Sequence, residues 1–172
     1  MEDLKHQNEL ILKKRAEILA RKTEEQNAEK LYEIIAFKVG DEKFGIECEY
    51  VLEISRNSVS RIPMTPDYIA GIANIRGKIV DVVKLDKLLG IDVSEKTDML
   101  LTISGNELEF ACRVNEVFGI REISQADIQE KPNASDILDR RGWLKAVTID
   151  GVQVIDGAKA LTDMSLIVDE GV

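Results

Sequence analysis

Residues 34–54 read IIAFKVGDEKFGIECEYVLEI, and residues 100–120 read LLTISGNELEFACRVNEVFGI. Each opens on an apolar run of strand length, passes a turn (Gly40-Asp41, Gly105-Asn106) and continues in two further short apolar runs. Apolar runs of this length cut by Gly, Asn and Asp read as strands, not helices. Matched on their glycines, the two segments align at an offset of 65 residues, with Gly40 on Gly105, Asp41 on Asn106 and Glu42 on Glu107. A one-residue insertion then puts Val51 on Val117 and Ile54 on Ile120. Farther along, GKIVDVVKLDKLL at 77–89 loosely matches GVQVIDGAKALT at 151–162. Each half therefore reads as strand, Gly turn, strand, strand, and later a Gly hairpin, a strand and a short helix: two five-stranded units of like topology.

Working outward, strands are expected at about 31–39, 43–47, 50–57, 71–75, 78–84, 97–103, 107–113, 114–122, 142–149 and 152–156. Short helical turns fit 85–89, 124–129 and 157–163. Many short strands on short turns, with no long helix among them, predict an all-β body of the barrel kind. Residues 1–30 differ. They hold no Gly or Pro, are rich in Glu, Lys, Leu and Ala, and carry Glu9–Lys13 and Glu17–Arg21 as oriented i,i+4 pairs. Leu4, Ile11 and Ile18, with Leu12 and Leu19 beside them, make a stripe too narrow for a deeply buried helix. The expected organisation is a charged helical extension at 1–30, a body at 31–165 with pseudo-repeats at about 31–95 and 96–165, and a tail at 166–172. Two readings are open for it: a solvated, partly frayed tail, or a helix that docks on the body, on a partner, or on its own copy in another chain.

Composition narrows the function. The chain has 172 residues, 44% of them apolar and 32% charged, with a net charge of −9. The first thirty residues carry seven basic and seven acidic side chains, so the whole −9 falls on residues 31–172. An acidic body argues against nucleic acid, whose affinity comes from Lys and Arg on phosphates, and against an anionic membrane surface. No apolar stretch is long enough to span a bilayer, so no direct membrane insertion is expected. The mixed charges of MEDLKHQNEL do not read as a secretion signal, and Cys48 and Cys112 are then reduced core thiols of a cytoplasmic protein. The sole histidine, His6, lies outside the body, which removes His-based triads and metal sites from it. Carboxylates such as Asp81, Asp86, Glu116 and Asp156 are not bracketed as a cleft, and no enzyme is expected.

The remaining motif is RIPMTPDYIAGIANIRGKIV at 61–80. Pro63 and Pro66 stiffen the approach, each fixing its own φ and extending the residue before it. Asn74-Ile75-Arg76-Gly77 then stands at a hairpin, where Gly77 can take positive φ and Arg76 is held out at the tip. A guanidinium there can bond a partner's carboxylate in a two-pronged fork, or pair with an acid of its own chain.

Extended on both sides, these residues resemble the CheW family of bacterial chemotaxis adaptors. The resemblance covers about 31–165. It rests on the Gly40-Asp41-Glu42 turn before Phe44-Gly45-Ile46, on Val51-x-Glu53-Ile54, on Ile62-Pro63 and Pro66, and on Gly71 with Asn74-Ile75-Arg76-Gly77. In the second half Trp143-Leu144-Lys145 and Asp150-Gly151 are similar to that family too. The resemblance implies two intertwined five-stranded SH3-like β-barrels and a non-catalytic scaffold without cofactors. It implies two partners, the regulatory domain of the histidine kinase CheA and the cytoplasmic tip of chemoreceptors, and recruitment from the cytoplasm to membrane-attached receptor arrays. It assigns partner contacts to Val51, Glu53, Gly71, Asn74, Arg76 and Gly77. A coupling module of the same family serving a different pathway is the alternative. No GxxxxGK[ST] or GxGxxG loop is present to hold a nucleotide.

One stretch departs from the family. Where it usually reads Ile-Val-Pro-Val-Ile-Asp-Leu-Arg, this chain has Ile79-Val80-Asp81-Val82-Val83-Lys84-Leu85-Asp86. An acid has become Lys84 and an Arg has become Asp86, while the second half keeps Asp156 in the equivalent place. Two readings are open: a local ion pair of inverted sign, or an altered choice of partner.

Overall fold

The structure, a computed structural model, describes residues 32–93, 97–105, 108–129 and 141–163, together with Lys14. Apart from Lys14, the helix expected over 1–30 lies outside the described residues, as does the tail 166–172. The described chain is mostly β. Its strands are β1 (Tyr32–Val39), β2 (Glu42–Glu47), β3 (Val51–Arg56), β4 (Ile69–Ile75), β5 (Lys78–Lys84), β6 (Met99–Gly105), β7 (Leu108–Arg113), β8 (Glu116–Ile123), β9 (Ile128–Gln129), β10 (Leu144–Thr148) and β11 (Gln153–Ile155). Short helices follow β5 (Leu85–Leu89) and β11 (Gly157–Thr162). The helical turn expected over 124–129 is a single 3-10 turn, Gln125–Asp127, closed by a Ser124/Asp127 capping box, after which the chain extends at once into β9.

The strands form two mixed sheets, six-stranded in the order β8-β1-β2-β11-β10-β9 and five-stranded in the order β3-β6-β7-β5-β4. Each holds one parallel pair, β2 with β11 and β5 with β7. The expectation of two closed five-stranded barrels is corrected here, because neither ladder closes among the described residues. The six-stranded sheet ends on the two-residue β9. In the five-stranded sheet, the segment after β3 reaches β4 through one isolated bridge, Ser60 to Ile72. It then enters the Pro63/Pro66 stretch, where proline has no N–H to extend a ladder.

The two sheets share one plan. β3 flanks β6 as β8 flanks β1, and the hairpin β4–β5 stands beside β7 as β10–β11 stands beside β2. The pairing registers also correct the alignment made on glycines. Val39 pairs with Glu42 across the first turn, and Gly105 pairs with Leu108 across its counterpart. Val39 therefore corresponds to Gly105. A uniform offset of 66 carries through to Val51–Val117 and Ile54–Ile120 with no insertion. Matching identical glycines slid the first hairpin by one residue.

Burial explains why β1 reads as a nearly continuous apolar run. Both of its faces are covered. Ile34 turns toward a small cluster with Ile123, Ala146, Val152 and Val154. Ile35, Phe37 and Val39 turn the other way, into the largest cluster, which takes Phe44 and Ile46 from the same sheet and Val83, Leu101, Ile103 and Phe110 from the other. A third cluster, with Ala73, Ile75, Val80, Val82 and Leu100, lines the five-stranded sheet's own concave side. The main core thus lies between the sheets. Trp143, buried within it, carries the Arg141 guanidinium 5.5 Å from its ring centre. Arg141 also donates to the Leu88 carbonyl and to Asp163, tying the ends of the two short helices together. Both cysteines are free, and burial pushes the Cys112 thiol up to about 12.

Candidate functional site

The β4–β5 hairpin turns through two residues, Arg76 and Gly77, between the paired Ile75 and Lys78. Both have positive φ, 52° and 84°. That is the type I′ geometry whose twist matches the flanking strands. Asn74 fixes it: its side-chain oxygen accepts from the Gly77 N–H at 2.8 Å. Arg76 spends conformational energy to stand there, since a residue with a Cβ is strained in the left-handed region.

The strained turn aims the Arg76 side chain at β3, where its Nε forms an ion pair with Glu53 Oε2. The pair is lopsided. Arg76 is 74% exposed and Glu53 only 13%. Glu53 stands opposite Thr102 in the ladder, and Glu53 Oε2 and Thr102 Oγ1 are both buried without a hydrogen-bond partner. The contact is therefore one of charge rather than of hydrogen-bond geometry, and the acid has little else to neutralise it. Beside it, Lys78 pairs with the mostly buried Glu109 at 2.5 Å in the same arrangement. This end of the five-stranded sheet presents cations outward, each footed on an acid below.

Glu53, Asn74, Arg76 and Gly77 are thus brought together. Val51 and Gly71 are placed differently. Val51 is half-buried and packs against the main core. Gly71 is buried at φ 137°, at a register shift in β4, and a Cβ there would collide with the Ser60 carbonyl. Its need for glycine comes from the close passage of residues 60–61 across β4. The inverted ion pair imagined for Lys84 and Asp86 is absent: Lys84 Nζ donates instead to the Asp67 carbonyl at 2.7 Å.

Sequence reasoning passed over the exposed apolar side chains of the two edge strands. β3 shows Leu52 and Ile54 to solvent, and Ile79 is 60% exposed on β5 behind the Arg76 turn. On the edge of the other sheet, β8 shows Phe118 and Ile120. The available signal was alternation. Val51-Leu52-x-Ile54 and Val117-Phe118-x-Ile120 place apolar residues at both parities, so neither face of the strand is polar, as an edge strand facing only water would require.

No group of three or more His, Cys, Asp or Glu side chains among the described residues is arranged to hold a metal ion. Asp156 caps its helix by accepting from the Lys159 N–H, and Asp81 and Glu116 are exposed. Among the described residues no helix is long and apolar enough to cross a membrane.

Residues 33–165 match the family model of the CheW-like domain. The chain belongs to the CheW-like family. It is 25% identical over 112 residues to the chemotaxis protein CheW of Thermotoga maritima, covering 64% of this chain and 74% of that protein. It is 30% identical over 108 residues to protein FrzA of Myxococcus xanthus, covering 60% and 67%. The crystal structure of the scaffolding protein TtCheW from Thermoanaerobacter tengcongensis superposes with a TM-score of 0.63 at 25% identity, over 73% of this chain and 89% of that one. This CheW-like chain is a chemotaxis coupling adaptor, a scaffold and not an enzyme.

Proposed function

We propose that the Arg76 end of the five-stranded sheet is the surface by which this adaptor holds the regulatory domain of the kinase CheA, with the cytoplasmic tip of a chemoreceptor as its second partner. The observation that carries the reading is the turn itself. Asn74 and Gly77 hold Arg76 in a strained, outward pose, Glu53 neutralises it from below, and the strands it pairs with and turns into, β3 and β5, expose Leu52, Ile54 and Ile79. An exposed guanidinium on a sheet that also exposes apolar side chains has the composition of an interface hot spot. Val51 and Gly71 act behind this surface, by anchoring β3 and seating β4. A stable contact needs roughly 1,200 Å² of total buried area, and a contact repeated across an array needs less. The body at 31–165 is one functional unit of two repeats, drawn from the cytoplasm to receptor arrays. Residues 1–30 stand outside the kinase contact, and self-association is a role open to them.

Calorimetry of the full chain against the CheA regulatory domain of the same organism tests the reading. Binding at tens of micromolar, weakened by Arg76→Ala, is the expected result. Absence of binding by the wild-type chain, or full binding by Arg76→Ala, would overturn it.

A further inference from the structure

A cavity of about 200 Å³ opens where the two sheets meet, lined by Val39, Arg61, Lys84, Asp86, Arg113 and Asn115 among others. Three cations and one carboxylate leave it with a local charge of +2, in a chain whose net charge is −9. These charges do not neutralise one another. Among the described residues Arg61 and Arg113 form no ion pair, and Lys84 spends its ammonium on the Asp67 carbonyl. Arg113 Nε is buried with no hydrogen-bond partner. A buried guanidinium N–H left unpaired is costly, so the position calls for an acceptor.

The other sheet shows what is missing. The parallel pairs Val83–Cys112 and Ile155–Ile46 occupy equivalent places, so Lys84 and Arg113 correspond to Asp156 and Glu47. Likewise Ile69–Val83 and Leu144–Ile155 correspond, which sets Ala70 in the place of Lys145. Around Glu47 the chain supplies its own counterparts: Lys145 donates to one carboxylate oxygen and the Gly157 N–H to the other, at 3.1 Å. Around Arg113 both signs are inverted, and the place that would hold a counter-charge is an alanine.

We propose that this cavity binds a phosphate group, as free phosphate or as a small phosphomonoester. A phosphate carries about −1.5 to −2 charges at neutral pH, which balances +2 where a single carboxylate would not. Two guanidiniums offer planar forks to its oxygens and Lys84 a point charge. The cavity is large enough for the group with a short carbon stem. The proposal does not rest on the kinase-binding surface, and none of its residues belongs to that surface.

The test is isothermal titration of the full chain with inorganic phosphate and, separately, with glycerol 3-phosphate, chloride balancing ionic strength. Saturable one-site binding is expected. Arg113→Met and Arg61→Gln should each weaken it about tenfold or more, the loss of one charge-assisted contact. A Lys43→Gln control, exposed and away from the cavity, should bind as wild type. Arg113→Met should melt no lower than wild type in phosphate-free buffer, because its buried N–H has no partner to lose, and should not gain the melting-temperature rise that phosphate gives the wild type. Equal affinities for the two ligands assign the cavity to free phosphate, and tighter binding of the ester to a phosphorylated metabolite; both support the proposal. No saturable heat up to about 10 mM ligand, or unchanged affinity in Arg61→Gln, whose side chain is exposed and whose folding is not in question, overturns it.

Discussion

Replacing Arg76 by glycine and by alanine separates what the residue does for the fold from what it does for a partner. Either change removes the ion pair with Glu53. The pair is mostly exposed on the arginine side, so after screening it contributes on the order of 0.5–1 kcal/mol. Alanine keeps the left-handed strain of φ 52° that arginine already bears, so Arg76→Ala should lose about 1 kcal/mol in all. Glycine relieves a strain of about 1–2 kcal/mol. It gives back about 0.4–1 kcal/mol through the greater freedom of the unfolded chain. Arg76→Gly should therefore fold within about 0.5 kcal/mol of wild type. Urea titrations should show the midpoint falling for alanine and hardly moving for glycine, with unchanged slopes. By melting, alanine should cost about 2–4 °C. Binding to the CheA regulatory domain should weaken by about 2 kcal/mol, roughly thirtyfold, in both variants, because the guanidinium is gone from both. Arg76→Lys should keep the charge and lose the fork, and bind poorly with near-normal stability. If glycine were as destabilising as alanine, the account of the turn would be wrong. If glycine bound the kinase domain like wild type, the account of the interface would be wrong.

Gly71→Ala should unfold the body or destabilise it by more than about 3 kcal/mol, since the added methyl meets the Ser60 backbone rather than a movable side chain; circular dichroism melting reads this directly. Arg121 grips Asp150 with two bonds, at 2.5 and 3.0 Å, and these hold the Asp150 carboxyl down at about 2, below its ordinary 3.8. The folded value is the lower one, so the pair's contribution is complete above pH 3.8 and fades as pH falls toward 2. The stability gap between wild type and Asp150→Asn should accordingly shrink between pH 5 and pH 2, and a gap that widened on acidification would contradict the pairing. Deleting residues 1–29 should leave a body that gives β-type circular dichroism and binds the kinase domain, with light scattering reporting any change in self-association; a deletion that failed to fold would make the extension part of the core.

Most strands were legible because their signals are local. Apolar runs of fixed length end at Gly-Asp and Asn-x-Arg-Gly turns, and the turn at Gly77 does what a glycine there promises. The misses arose where a nonlocal partner decides. β4 begins at Ile69, two residues before Gly71, because the bulge that accommodates residues 60–61 leaves Ile69 still paired with Val83. β9 hid inside a helical turn because Ser124-x-x-Asp127 is a true cap, and nothing near it says that the helix stops after one turn. The repeat was offset by one residue since identical glycines outweighed the pairing that only the folded ladder defines. At the site, Arg76 and Glu53 could each be singled out by type and position. Their pairing across 22 intervening residues depends on the sheet curling its two edges together, which no periodicity encodes.

That curl also bears on how the scaffold holds its two exposed edges. The chain crosses between the sheets twice among the described residues. It leaves the six-stranded sheet through Cys48–Tyr50 and returns to it through Val114–Asn115. Each crossing delivers the chain straight into an edge strand, β3 in one case and β8 in the other. The first inward residue of each, Val51 and Val117, packs against the main core between the sheets. The next outward residues, Leu52 and Ile54 or Phe118 and Ile120, face solvent. Both exposed edges are therefore anchored within a residue or two of the same core, and close-packed cores do not deform continuously. Two such edges on one rigid body keep a fixed distance and angle. That fixed geometry follows from drawing each sheet's strands from both halves of the chain rather than from any single contact.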